Sequence, residues 1–274
     1  MTKEQVAELE KKAKEIRVLT IEAIGNLGVG HIGGAMSIVD ILALLYFKRL
    51  RVDPANPRKA DRDQFVLSKG HAGPALYSAL AIRGFFPREW LMTLNVGGTR
   101  LPSHCDRNLT PGVDMTTGSL GQGISAACGI ALGNRLGGVA SRMYCVIGDG
   151  ECDEGQVWEA AMFAAHYKLD TLTVFLDNNR MQIDGTTDEI MGLGSLAAKW
   201  QAFGWFVQQV NGHDMQAMDA ALDNAERESG RPSMIILDTV KGKGFQPGEG
   251  LVTSHNMTFG PEEAKKAIAA LEGR

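Results

Sequence analysis

The 274-residue sequence lacks any apolar run long enough to cross a membrane. Its longest apolar stretch, residues 38–47, is interrupted by Asp40 and falls well short of the roughly 20 residues that a spanning helix needs. Residues 1–5 also lack the apolar core of a secretory signal. We therefore expect a protein that does not associate with a membrane.

Excess basic charge and paired cysteines are also missing. A net charge of −4 and a pI near 5.9 give no electrostatic reason to expect a nucleic-acid partner. The cysteines show no CxxC spacing, which argues against a zinc site or a disulfide framework. We expect a cytoplasmic protein with reduced thiols at Cys105, Cys128, Cys145 and Cys152.

The sequence does contain an alternation of strand-like apolar runs and helix-period stretches. The predicted strands are 64–67, 143–147, 171–176, 205–210 and 233–240. The predicted helices are one that begins at a Thr2/Gln5 capping box and others at 36–49, 74–83, 122–136, 154–167, 196–203, 214–229 and 261–272, with a glycine-rich loop at 25–34. The alternation predicts an α/β fold in which helices cover both faces of a mostly parallel sheet. We assign residues 1–274 to one domain, which either includes the terminal helix 261–272 or carries it as an appendage.

Polar residues follow two of the predicted strands. Asp149 lies between two glycines after strand 143–147, and Asn178 and Asn179 come soon after strand 171–176. A helix-period stretch joins the strands, so they are expected to be parallel neighbours whose carboxyl ends meet at one sheet edge. Carboxylate and amide oxygens at that edge suit a divalent cation that holds a diphosphate.

Asp149 and Asn179 also allow a purely structural interpretation, because both residue types are common in turns and caps. That interpretation must also account for the glycines on both sides of Asp149, for the paired asparagines, and for the Ile-Asp-Gly sequence at 183–185. We favour the interpretation as metal ligands.

Histidines supply a second pattern. One histidine in a loop is more often structural than functional, but four in the same setting favour an active site, because adjacent glycines allow close approach of the backbone to a ligand. His166 and His213 lie in or before predicted helices and are interpreted as structural. The four histidines in glycine-rich or polar loops are His31, His71, His104 and His255.

Two further patterns carry less weight. Glu154 and Glu159 lie at the start of a predicted helix, where carboxylates are common because they suit the helix dipole. Residues 28–33 (GVGHIG) match the GxGxxG dinucleotide fingerprint, and Asp53 follows twenty residues later. The preceding residues 3–27 have helical spacing where that fingerprint requires a strand, so nicotinamide binding is not predicted.

Six motifs together resemble the N-terminal, diphosphate-binding part of a transketolase over nearly the whole chain. They are GHIGG at 30–34, LSKGH at 67–71, TPGVDMTTGSLGQG at 110–123, GDG at 148–150 with NN at 178–179, NGHD at 211–214 and SH at 254–255. The GDG and NN elements are shared by thiamine diphosphate enzymes in general, whereas the histidines and segment 110–123 narrow the likeness to transketolases. The resemblance implies a three-layer αβα thiamine-diphosphate-binding fold.

The resemblance also implies roles for individual residues. The metal, Mg²⁺ or a substituting Ca²⁺ or Mn²⁺, would be bound by Asp149, Asn179 and the backbone carbonyl of Met181. The proton-transferring residues around the donor sugar would be His31, His71, His104 and His255. The residues at thiamine diphosphate would be His71, Gly118, Leu120, Gly148, Asp149, Gly150, Glu154, Asn179 and His255. Glu154 and Glu159 match family acids implicated in linking paired active sites, and Ser119 departs from the usual proline, which should alter the local loop more than the chemistry.

Transketolases also contain a second domain, which holds the aminopyrimidine ring and supplies residues that bind the substrate phosphate. Only one predicted helix follows residue 260. We therefore expect one subunit of a split transketolase, whose partner subunit carries the pyrimidine-binding and C-terminal domains in a heterotetramer of two plus two. The implied activity, present only with the partner, is transfer of a two-carbon ketol unit from a ketose to an aldose by thiamine diphosphate.

Two alternatives stay open. The chain could belong to another thiamine diphosphate enzyme, such as a 1-deoxyxylulose-phosphate synthase or the α chain of a 2-oxo-acid dehydrogenase, although neither is expected to show this full histidine set. It could also be a catalytically silent scaffold, against which the intact Asp149 and Asn179 argue. The sequence leaves the ketose donor and the aldose acceptor undetermined, because the second domain would recognise most of the substrate.

Overall fold

The computed structural model describes residues 1–273, and a five-stranded parallel sheet lies at its centre. The strands are β1 (Val29–Gly30), β2 (Gln64–Leu67), β3 (Met143–Gly148), β4 (Leu172–Asn178), β5 (Met181–Gln182), β6 (Gly185–Thr186), β7 (Phe206–Asn211), β8 (Ser233–Asp238) and β9 (Met257–Thr258). The central sheet has the order β2-β3-β4-β8-β7, and every neighbouring pair is parallel. The predicted fold class is confirmed.

Helices cover both faces of this sheet. They are α1 (Lys3–Leu27), α2 (Ile32–Met36), α3 (Val39–Leu44), α4 (Gly73–Arg83), α5 (Gln122–Leu136), α6 (Gly155–His166), α7 (Thr187–Ile190), α8 (Leu196–Ala202), α9 (Met215–Arg227) and α10 (Pro261–Glu272). None of those formed by residues 1–273 is both long and apolar enough to cross a membrane.

Successive side chains of the central strands enter two separate hydrophobic clusters. Tyr144 and Val146 of β3 pack with residues of α1, α3, α4 and α9, whereas Cys145 and Ile147 pack with residues of α5, α6 and α8. This is the period of two of a strand that is buried on both faces. The arrangement is therefore three-layered, with helices on either side of the sheet.

The first helix forms as its sequence predicts. Thr2 Oγ1 accepts from the backbone N–H of Gln5 (3.3 Å), and Gln5 Oε1 accepts from the N–H of Thr2 (2.9 Å), which completes the capping box. The helix ends at Gly28, whose φ of 95° lies in the left-handed region open to glycine. Because α1 precedes residues 28–33, the strand required by a dinucleotide fingerprint is replaced by a helix.

The helix predicted over residues 36–49 is present only from Val39, because its predicted start falls on a break. The structure has α2 and α3 with a break between them, followed by a π-helical turn at Leu45–Arg49. At the break, Ile38 leaves helical geometry (φ −101°, ψ 5°). The hydroxyl of Ser37 donates to Asp177 Oδ2 at 2.7 Å. A buried contact to the sheet edge is thus made where local periodicity predicts a continuous helix.

The two ends of the chain lie together. β1 and β9 pair antiparallel, with Val29 opposite Thr258. The terminal helix packs on α1 at Gly25, where an added Cβ would lie 2.5 Å from the Cβ of Ala264. Residues 241–260, which follow the central sheet, contain a 3₁₀ turn, Val252–His255, and one strand of a long-range pair. This pairing brings the loops of His31 and His255 into the same neighbourhood.

Candidate active site at the carboxyl edge of the sheet

A small cavity of about 70 Å³ lies at the carboxyl ends of β3 and β4. In the parallel register Gly148 is opposite Asp177, so the loops that follow the two strands share one edge, as predicted. Eight of the residues proposed from the sequence line the cavity: His71, Leu120, Gly148, Asp149, Gly150, Asn179, Met181 and His255.

Asp149 is buried and held by backbone donors. Its Oδ1 accepts from the N–H of Gly150 at 2.8 Å, and its Oδ2 accepts from the N–H of Arg180. Burial, and then the nearby carboxylate of Asp177, raise the pKa of Asp149 to about 6. A buried carboxylate whose charged form is disfavoured in this way is suited to a bound cation.

Asn179 is oriented by its neighbours on both sides of its amide. Its Oδ1 accepts from the N–H of Met181 at 3.1 Å, and its Nδ2 donates to Asp177 Oδ2 at 2.8 Å. Each amide or carboxylate oxygen can accept more than one hydrogen bond or metal contact. Asp149 and Asn179 therefore retain lone pairs for a ligand while their positions are fixed.

A buried ion pair lies behind these residues. Asp177 is fully buried, Lys69 is 2% exposed, and Lys69 Nζ donates to Asp177 Oδ2. A second lysine, Lys241, is 2% exposed and lines the same cavity, with its Nζ 3.4 Å from His255 Nδ1. Burial, and then Lys69, lower the pKa of Lys241 to about 8. The cavity thus contains two lysines suited to an anionic ligand.

Three of the four predicted histidines surround the fourth. The ring centroid of His31 lies 5.5 Å from His71, 5.9 Å from His104 and 5.4 Å from His255, and the rings of His71 and His255 are 5.4 Å apart. These residues are up to 224 positions apart in the chain. The folded chain therefore gathers into one cluster the four histidines that share a loop setting in the sequence.

The surroundings of His31, His71 and His255 lower the pKa of each of these three histidines. Burial, and then Lys241, lower the pKa of His255 to about 4. Burial is also the main cause of a lowered pKa at His31 and of a pKa well below the usual value at His71. Neutral imidazoles each have one donor and one acceptor nitrogen, so they can exchange hydrogen bonds and protons with hydroxyl groups.

A family model for the transketolase thiamine diphosphate binding domain matches residues 9–272. The chain belongs to the transketolase family. It is 55% identical over 269 residues to a 6-deoxy-6-sulfo-D-fructose transketolase subunit, SqwG, of Clostridium sp. (strain MSTE9), and the match covers 98% of each chain. It is 37% identical to one of the subunits of an apulose-4-phosphate transketolase from Phocaeicola vulgatus, over 98% of this chain and 96% of that one.

Solved transketolases share the fold. The transketolase from Leishmania mexicana superposes with a TM-score of 0.91 at 34% identity, over 97% of this chain and 41% of that one. This chain therefore spans about two fifths of the length of the solved transketolase. It corresponds to the thiamine diphosphate-binding domain of the family, as the motifs predict.

The transketolase domain provides donors for a diphosphate as well as acceptors for a metal. Gln182 lines the cavity, and its Nε2 is buried without a hydrogen-bond partner. At Gly34 an added Cβ would lie 2.9 Å from His71 Nε2, so a larger residue there would displace the imidazole ring of His71. An unpaired donor, two lysines and a carboxylate–amide pair are a donor set that fits a magnesium diphosphate.

Other predicted residues lie around the cavity or away from it. Gly118 has a positive φ of 158° and packs at His104, whose Cβ would lie 3.5 Å from an added Cβ. Glu154 and Glu159 are exposed at the start of α6 and do not line the cavity. The cofactor role of Glu154 therefore stays a prediction that the single chain does not test.

Sequence reasoning missed the buried acid of this loop, which is Glu151. Its Oε1 accepts from the N–H of Gly121 at 2.8 Å and from Ser68 Oγ, and its Oε2 accepts from the N–H of Gly148 at 3.0 Å. Glu151 thereby ties together the loops after β2 and β3 and the start of α5. Its position directly behind the GDG turn was the available signal.

Lys69 and Lys241 were also missed as site residues. Lys69 occurs within the LSKGH motif, and Lys241 follows shortly after β8. Both positions lie at the carboxyl end of a central strand, which is the rule that identified Asp149. A search at the carboxyl ends of the strands for cationic side chains, as well as for oxygen ligands, would have identified both lysines.

Proposed function

We propose that this chain is the thiamine diphosphate-binding subunit of a two-component transketolase, which moves a two-carbon ketol unit from a ketose to an aldose. The observation that carries the proposal is the presence of four clustered histidines beside the Asp149–Asn179 pair. Two relatives that are matched over nearly their whole length bear subunit names, which supports a partner subunit. A heterotetramer of two plus two is the assembly we favour.

The metal in this proposal is Mg²⁺, with Ca²⁺ or Mn²⁺ able to substitute, bound by Asp149, Asn179 and the carbonyl of Met181. The side-chain oxygens are the hard ligands that such cations prefer. Across residues 1–273 there is no cluster of three His, Cys, Asp or Glu side chains that could hold a metal. The diphosphate is therefore expected to complete the coordination, so metal and cofactor should bind together.

The residues of this chain then have two roles, which are to offset the charge of the diphosphate and to transfer protons at the sugar. Lys241, with a pKa of about 8, is mostly protonated at neutral pH and offsets part of the diphosphate charge. His31 and His255, kept neutral, accept and return protons at the hydroxyl groups of the sugar. Bound thiamine diphosphate supplies the carbanion-stabilising chemistry that the transfer requires.

The donor that we favour is a ketose carrying a terminal anion, a sulfonated ketohexose first and a phosphorylated ketose second. The relative at 55% identity is named for 6-deoxy-6-sulfo-D-fructose, and the one at 37% for apulose-4-phosphate. The higher identity to the sulfosugar subunit sets this order. The test is donor consumption by the complex that co-purifies with this chain from its native cells, with the two donors supplied at equal concentration.

Calorimetry tests the cofactor site. The assembled complex should bind thiamine diphosphate only when Mg²⁺ is present, and Asp149→Ala should weaken that binding at least tenfold. Asp153→Ala is the matched control, because Asp153 is exposed on the same loop and accepts no side-chain hydrogen bond among the described residues. Equal affinity in Asp149→Ala and the parent would show that the metal assignment is wrong.

Turnover tests the subunit proposal. The complex should convert a ketose and an aldose, the isolated chain should not, and His31→Asn should lower kcat in the complex by about 10²-fold or more. His166→Asn is the control, because His166 is exposed at the end of α6. Turnover by the isolated chain at the rate of the complex would refute the need for a partner.

A further inference from the structure

A second cationic cavity lies away from the histidine cluster. Its volume is about 210 Å³, and one wall is formed by residues 57–62 and the other by residues 107–114. Four arginines line it, against the single carboxylate of Asp114. The four arginines are Arg58, Arg62, Arg100 and Arg107.

This cavity lies at the amino end of the edge strand β2. Residues 57–62 precede β2, whereas Lys69 and His71 follow it, and the strand is roughly 10 Å long at about 3.3 Å per residue. On the free edge of β2, Asp114 Oδ2 accepts from the N–H of Phe65 at 2.7 Å. The cavity is therefore at the opposite edge of the sheet from the cofactor site.

Most of the positive charge in the cavity is uncompensated. Arg62 pairs with Asp114 through Nη2, while its Nε is buried and has no hydrogen-bond partner. Within residues 1–273, no ion pair or side-chain hydrogen bond with a protein group is formed by the other three arginines, Arg58, Arg100 and Arg107. Guanidinium groups without a carboxylate partner are well suited to an oxyanion, which they bind through paired N–H donors.

The walls of the cavity are held in place before any ligand binds. The guanidinium of Arg100 lies 5.1 Å from the ring centroid of Trp90, a cation–π contact. Gly112 has a φ of 88°, and an added Cβ there would lie 2.7 Å from Leu80 and from Phe85, so the turn is set tightly against the core. These contacts restrain Arg100 and the turn at Gly112, which reduces the conformational entropy that anion binding would cost there.

We propose that these four arginines form a binding site for a tetrahedral oxyanion, the phosphate or sulfonate group of a small molecule, distinct from the cofactor site. The segment that supplies Arg107 also carries His104. It is hydrogen-bonded to residues 116 and 117: Thr116 Oγ1 accepts from the N–H of Arg107 (3.1 Å), and Cys105 O accepts from the N–H of Thr117 (3.0 Å). An anion held by Arg107 therefore restrains the segment that presents His104.

Binding of inorganic phosphate and of methanesulfonate to the full chain tests the site, at constant ionic strength set with chloride. The double variant Arg100→Gln/Arg107→Gln should bind the preferred anion at least tenfold more weakly than the parent. Arg227→Gln, which alters an exposed arginine of α9, should bind like the parent. Because phosphate can also occupy the cofactor site, the readout is the difference between the parent and the double variant.

Preference for phosphate identifies a phosphate ester as the natural ligand, and preference for methanesulfonate identifies a sulfonate. Equal binding by the parent and the double variant would overturn the proposal, as would binding no stronger than that of chloride. Loss of the difference once the partner subunit is bound would also overturn it, because the arginines would then be part of the subunit interface.

Discussion

Replacing Asp177 by asparagine should be among the most destabilising single changes at the sheet edge. Asp177 is fully buried and accepts hydrogen bonds from Ser37 Oγ (2.7 Å), Asn179 Nδ2 (2.8 Å), Lys69 Nζ and Thr239 Oγ1. The asparagine would keep the shape but remove the charge, and would leave the buried ammonium of Lys69 without its ion-pair partner. Its new N–H₂ group would also face donors rather than acceptors.

The size of the effect follows from which partner is removed. Breaking a buried ion pair by removing one member costs about 3–5 kcal/mol, because the remaining charge stays unpaired. Lys69→Met should cost less, about 1–3 kcal/mol, because the carboxylate of Asp177 then keeps its three other donors. The double variant should be less destabilised than the sum of the single ones, since no unpaired charge remains.

Urea unfolding at pH 7 measures these differences, provided that the m-value is the same for all four proteins. The expected order of stability is parent, Lys69→Met, then Asp177→Asn, with a coupling free energy of at least about 1 kcal/mol between the two sites. The reasoning is wrong if Asp177→Asn costs less than about 1 kcal/mol, or if Lys69→Met is the more destabilised of the two.

Three further predictions concern pH, packing and the buried acid. The pKa of His255 is lowered to about 4 from its ordinary 6.5, so the folded state binds fewer protons than the unfolded state and should lose stability as pH falls from about 6.5 towards 4. Thermal melts at pH 7 and 4.5 measure this loss of stability, and His255→Asn should make it smaller by about 1–2 kcal/mol, a value reduced because His255 is partly exposed. A loss of the same size in His255→Asn and the parent would contradict the lowered pKa. Gly33→Ala should destabilise by about 1–3 kcal/mol, because its Cβ would lie 2.7 Å from the carbonyl oxygen of Ser254. By contrast Gly129→Ala, in open space on α5, should stabilise by about 0.5–1 kcal/mol in urea, and equal effects would refute the packing argument. Glu151→Gln should lower the stability of the fold by about 1–3 kcal/mol, because an amide cannot accept at both ends from the N–H groups of Gly121 and Gly148. Hydrogen exchange at those two backbone amides should become faster. Unchanged exchange would contradict the proposal that Glu151 links these loops.

The regular elements of the sheet were predictable because their signals are local. Strand β2 and helices α5 and α10 have the predicted bounds, since each has an uninterrupted period and a clear start or stop. The four histidines were predictable as a set for a similar reason, because glycines or polar loop residues flank each one. That the four lie together was implied only by the family resemblance, because no local signal predicts the pairing of β1 with β9 that brings His255 to His31.

Tertiary contacts override the local pattern where prediction failed. The periodicity of residues 36–49 favours one helix, but the bond from Ser37 to Asp177 coincides with a break in it. At the end of β4, the sequence alone could not distinguish a metal ligand, Asn179, from a residue that supports the site, Asp177. Asp177 and Asn179 are both oxygen ligands by type, yet only the structure shows that Asp177 is already occupied by Lys69.

The joining of the chain's two ends affects how the protein folds. The pairing of Val29 with Thr258 and the packing of α10 on α1 close a loop of more than two hundred residues. Contacts of such high sequence separation form slowly, because the entropy of the closed loop is lost before the contacts stabilise it. His255 can join His31 only after that closure, so the histidine cluster is completed late in folding. A ligand that binds only the closed form then stabilises it by mass action and favours retention of the completed fold.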